Sequence, residues 1–116
     1  MKQKIALFAF NGEAMCFMHV LLNGLDLIEK GFEAKLIIEG AATKLIPEMA
    51  KAESPLNRLY EKAKAANLIE GACRACSAKM GTLQAAEAQG MRLLDDLLGH
   101  PSMRGYLAEG YQIITF

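Results

Sequence analysis

Two cysteines stand three apart in Cys73-Arg74-Ala75-Cys76, and the segment continues as Ser77-Ala78-Lys79-Met80-Gly81. This spacing serves a dithiol–disulfide couple, a pair of metal ligands, or a nucleophilic thiol with a second thiol beside it. The residues leading to Cys73 read as a strand and those from Cys76 to Met80 as a short helical turn. At such a junction the unpaired N–H groups of a helix start, with the Arg74 charge beside them, favour a thiolate and are expected to lower the thiol pKa. A nucleophile or persulfide carrier is the chemistry that follows. The plainer alternative is a pair of small buried thiols.

A second constellation is Cys16-Phe17-Met18-His19, where Cys16 and His19 fall on one face of a helix. If the first and third strands are neighbours, Cys16, His19, Cys73 and Cys76 converge as four soft ligands for Zn²⁺ or another thiophilic metal. His19 also belongs to a polar stripe with Asn23, Asp26 and Lys30, which can face solvent or another subunit. Met15 and Met18 read as core or interface filler, with Cu(I) the one metal they would suit. His100 before Pro101 reads as a helix start, or as a surface partner of Asp95 and Asp96. Asn11-Gly12 and Glu39-Gly40 are strand-to-helix turns without a GxGxxG or P-loop pattern, so no nucleotide cofactor is expected.

The elements that must position these groups alternate. Lys4 to Phe10 and Ala34 to Ile38 are apolar runs of the kind found in strands buried on both faces. Between them, Ala14 to Lys30 is helical and apolar around most of its circumference, so it is expected to be covered on more than one side. Thr43 is expected to cap one helix and Ser54-Pro55 to start the next, an amphipathic one from Leu56 to about Leu68. Strands follow at Leu68 to Cys73, at Met91 to Leu94 and at Tyr111 to Phe116. Thr82 is expected to cap a helix ending at Gly90, and His100-Pro101 to open one ending at Gly110. About five alternations imply a parallel sheet with helices on both faces.

A chain of 116 residues is one domain's worth, so a single domain over residues 1–116 is expected. Lys plus Arg equal Asp plus Glu at 13 each, which argues against binding nucleic acid or anionic lipid. Hydrophobic residues make up 53% of the chain, enough to exclude disorder and to anticipate buried subunit contacts. Six apolar residues after two lysines at the start fall short of the roughly 7–15 of a signal peptide. The longest uncharged stretch, Ala14 to Leu25, is well below the roughly 20 residues of a membrane span. A cytoplasmic protein is expected, in which three cysteines make a disulfide framework a poor explanation.

The cysteine segment Cys73 to Gly81 resembles that of the DsrE/DsrF/DsrH-like family, particularly its small YchN-like members. The likeness extends through His19-Val20-Leu21-Leu22, Lys30-Gly31-Phe32, Lys35 to Gly40 and the closing Gly110 to Phe116. The resemblance implies a flavodoxin-like three-layer α/β/α fold with a five-stranded, mainly parallel sheet, assembled into trimers or hexamers. It further implies a persulfide on Cys73 and a sulfur relay between donor and acceptor proteins, a sulfurtransferase-like role. Relay subunits of that family use a single such cysteine, so Cys76 is a departure: a resolving thiol, or one ligand of a metal. The competing classes are a thiol-based metal-binding or redox-sensing module and a non-catalytic subunit of an assembly.

Overall fold

The computed structural model describes residues 2–116. The apolar run Lys4–Ala9 is strand β1, buried from Ile5 onward. Strands β2 (Glu33–Ile38), β3 (Ile69–Cys73), β4 (Leu93–Leu94) and β5 (Gln112–Thr115) follow. Every pairing is parallel, in the order β4-β3-β2-β1-β5. Parallel neighbours require crossovers, and the helical segments supply them. These are α1 (Ala14–Glu29), a 3-10 segment (Gly40–Leu45) running into α2 (Ile46–Met49), α3 (Asn57–Ala65), α4 (Arg74–Lys79), α5 (Leu83–Ala88) and α6 (Arg104–Ala108).

Period-two alternation along the strands divides the core between two faces. Ile5, Leu7, Leu36 and Ile38 pack with Phe17, Val20 and Leu21 of α1 and with Tyr60 and Ala63 of α3. Ala6, Phe8 and Ile37 look the other way, onto Met103, Tyr106 and Tyr111. The result is a flavodoxin-like three-layer α/β/α architecture with an all-parallel five-stranded sheet. Its second helical layer is thin: among the described residues α6 is the one helix on this face, with Tyr106 set edge-on to Phe8 and Tyr111. Among the described residues no helix is long and apolar enough to cross a membrane.

Glu70-Gly71, which interrupts the apolar pattern of β3, has a packing reason. A Cβ at Gly71 would collide with the Arg92 carbonyl oxygen, so only glycine lets β4 approach. Several local expectations are corrected. Thr43 is no cap: it sits inside the 3-10 segment and its hydroxyl donates to the Gly40 carbonyl at 2.8 Å. Ser54 accepts the Leu56 N–H, which forms a turn, and the helix starts only at Asn57. Thr82 stands at the N-cap position of α5 as expected, but its hydroxyl donates to the Thr43 carbonyl and makes no capping bond. The last helix opens at Arg104 and not at His100-Pro101, because Asp96 accepts the Ser102 N–H and holds residues 96–102 in a loop.

Candidate functional site

The carboxyl ends of β2, β3 and β4 lie side by side, and each delivers a polar group to the same place. Ile38 is in register with Ala72, so Glu39 falls beside Cys73 one residue further along both strands. Gly40, at φ +53, then turns the chain away. Helix α4 starts at Arg74, which makes Cys73 its N-cap: the Cys73 sulfur accepts the Cys76 N–H at 3.2 Å. This one bond holds the two thiols in a fixed relation across the first helical turn.

His100 arrives on a hairpin. Leu97 and His100 bond to each other through both backbone groups, with Leu98 at φ 50 and Gly99 at φ 89 forming the turn. Two successive residues of positive φ make the turn type whose twist suits a tight hairpin. Leu98 is 95% exposed, so no packing explains a bulky residue in that conformation. The Ala75 N–H donates to the Gly99 carbonyl at 2.9 Å and ties the hairpin to α4.

The imidazole Nδ1 of His100 consequently lies 3.2 Å from the Cys73 sulfur and 3.6 Å from that of Cys76. With a Glu39 carboxylate oxygen, these donor atoms all fall within 4.8 Å of one another. Cys73 and Glu39 form the floor, at 0% and 7% exposure, while Cys76 is half-buried and His100 is exposed at the rim. Burial pushes the Cys73 thiol up to about 12, its S–H interaction with the Cys76 sulfur adds to the rise, and only the Cys76 N–H, which donates to the Cys73 sulfur, opposes it. The lowered pKa expected from the helix start is therefore corrected. A helix start supplies about 0.3–1 kcal/mol, less than the cost of a buried charge. Arg74 does not assist, because its guanidinium turns outward to Asp95 at 3.1 Å. The Glu39 carboxyl is raised to about 7 by burial alone.

Cys73 and Cys76 are thus together as their spacing implied, but Cys16 and His19 do not join them. β2 separates β1 from β3, so the adjacency needed for that four-ligand set is not present. Both residues are exposed on the first turns of α1. Their places are taken by Glu39 and His100, whose Asp95 and Asp96 neighbours bond elsewhere. A cavity of about 420 Å³ lies apart from the thiols, between β3, β4 and α6, lined among others by Lys35, Glu70, Arg92 and Tyr106.

No family model matches the chain. The uncharacterized protein MJ0733 of Methanocaldococcus jannaschii is 35% identical over 97 residues, covering 84% of this chain and 77% of that protein. An uncharacterized protein of Archaeoglobus fulgidus is 54% identical over 43 residues, covering 37% of this chain and 70% of that protein. No solved structure shows a significant match.

Proposed function

We propose that this chain, which belongs to the family of the Methanocaldococcus jannaschii protein MJ0733, is a cytoplasmic DsrE-like sulfur carrier that holds sulfane sulfur on its Cys73–Cys76 pair. The observation that carries the reading is the sharing of one imidazole nitrogen by two thiols, at 3.2 and 3.6 Å, one thiol buried and the other at the rim. Thiol chemistry needs a proton acceptor within hydrogen-bond reach, and His100 serves both sulfurs from one position.

In this mechanism Cys76, the accessible thiol, meets a donor persulfide. Its sulfur attacks the outer sulfur of the donor; a new S–S bond forms, the donor's S–S bond breaks, and the donor departs as a thiol. The proton that Cys76 gives up passes through His100 to that leaving group. Cys73 then attacks the same outer sulfur, which moves inward as Cys76 regains a proton. The persulfide on Cys73 is shielded at the floor of the site, and the reverse steps deliver it to an acceptor thiol. Each exchange conserves oxidation state, since one sulfane sulfur passes between thiols.

Assembly into a trimer or hexamer belongs to the same proposal. Met15 at 71% and Leu22 at 46% exposure lie on α1, and a second copy covering them would account for that helix's apolar excess. Donor and acceptor are then thiol proteins that reach the rim around Cys76. The test is intact mass after exposure to a polysulfide, with native mass spectrometry reporting assembly. Wild type and Cys16→Ser are expected to gain sulfur, and Cys73→Ser with Cys76→Ser in one chain to gain none. Equal gain by the double variant would refute the reading.

A further inference from the structure

We propose that Glu39, Cys73, Cys76 and His100 together bind one Zn²⁺ ion. Zinc holds sulfur at about 2.3 Å and nitrogen or oxygen at about 2.0–2.2 Å in a tetrahedron, which sets its ligand atoms about 3.3–3.8 Å apart. The His100 Nδ1 separations of 3.2 Å and 3.6 Å from the two sulfurs are already of that size. All four donor atoms lie within 4.8 Å of one another, so a small closure of the rim completes the set.

The second observation is independent of those distances. Glu39 is 93% buried by its 7% exposure, is aimed into the cluster, and finds no hydrogen-bonding or cationic partner among the described residues. A carboxylate on a side chain this enclosed, with no protein partner and only a narrow contact with solvent, is costly to ionise, and native structures pair such groups or place them on a metal. A cation among these four side chains supplies the missing partner.

The donor types select the ion. Calcium and magnesium require six or more oxygen ligands, whereas two sulfurs, an imidazole and one carboxylate suit zinc and other thiophilic cations. Four protein ligands leave no open coordination position, so the ion is a structural one that clamps three chain segments. It ties the end of β2 and the start of α4 to the hairpin at Leu97 to His100. The site stands on its four donors alone. One consequence, that bound zinc keeps sulfur off Cys73 and Cys76, rests on the sulfur-carrier reading.

The experiment titrates metal-free, reduced full-length protein with Zn²⁺ against a competing chelator, and with Co²⁺ as the spectroscopic stand-in. One equivalent of each is expected, with sulfur-to-cobalt charge-transfer bands and the intense visible absorption of tetrahedral cobalt. Glu39→Gln and His100→Ala are expected to weaken Zn²⁺ binding beyond the roughly 100-fold seen when outer-shell partners of a metal are lost. Cys16→Ser and His19→Ala should bind as wild type. Glu39→Gln is nearly isosteric, and its circular dichroism shows whether it is folded. Octahedral cobalt spectra, sub-stoichiometric binding by wild type, or full affinity in folded Glu39→Gln would each overturn the site. Sulfur uptake by the metal-free protein is read separately. Uptake without zinc binding removes this inference alone, and zinc binding without uptake removes the carrier reading alone.

Discussion

Replacing Glu39 by glutamine in the metal-free protein should change how stability depends on pH. Burial raises this carboxyl from 4.5 to about 7 in the folded state. Between those values the folded protein holds a proton that the unfolded chain has released, so stability falls as pH rises through this window. Below pH 4.5 both states are protonated and the group has no effect; above pH 7 both are ionised and the whole cost is present. At about 1.4 kcal/mol for each pH unit, the cost is at most about 3 kcal/mol at pH 8, and the solvent that still reaches the carboxylate screens part of it. Glutamine never ionises and does not meet it. The amide also has to be accommodated, at a cost that does not vary with pH, so the quantity to compare is the change in Glu39→Gln minus wild type between pH 4.5 and pH 8. Urea denaturation at the two pH values, with chelator and reductant present, measures it. The variant should gain about 1–3 kcal/mol relative to wild type on going to pH 8. A difference that is the same at both values would refute the argument that Glu39 is ionised at a cost in the fold.

Two further substitutions test the surroundings of the site. The Ser77 hydroxyl is buried without a hydrogen-bond partner among the described residues, so Ser77→Ala should raise unfolding stability by about 1–2 kcal/mol; a loss of stability in urea would show that the hydroxyl has a partner. Leu98 holds a positive φ while almost wholly exposed, and Leu98→Asn should stabilise the hairpin by about 1 kcal/mol through relief of that conformation. Thermal melting checks it, and an unchanged or lower midpoint counts against strain at this turn.

Legibility of the sequence ended where proximity began to depend on topology. β1 and β2 could be read because their apolar runs are those of strands buried on both faces, and the thiol pair because one turn links Cys73 to Cys76. Glu39 and His100 lie 34 and 27 residues from Cys73 in sequence, and no spacing rule connects them. Glu39 reaches the site only because β2 adjoins β3. The available signal was its place directly after an apolar strand, where parallel sheets present their functional groups. His100 depends on a hairpin whose turn is Leu98-Gly99, and leucine gives no sign of a positive φ. The same strand order defeats the pairing of Cys16 and His19 with the other thiols. Cys16 and His19 do share a helix face, but α1 follows β1, with β2 between it and the cysteines. The thiol pKa departs from the sequence expectation for a different reason. Sequence reveals a helix start but not how deeply its first residue is buried, and at Cys73 burial is the larger effect.

The central claim, sulfur carriage on the Cys73–Cys76 pair, is tested most directly by locating the sulfur. Metal-free protein is exposed to an organic persulfide, its thiols and persulfides are alkylated, and its peptides are sequenced by tandem mass spectrometry. The account requires the extra sulfur on Cys73 or Cys76, with Cys16 unmodified. Sulfur confined to Cys16, or absent from all three cysteines, would contradict it.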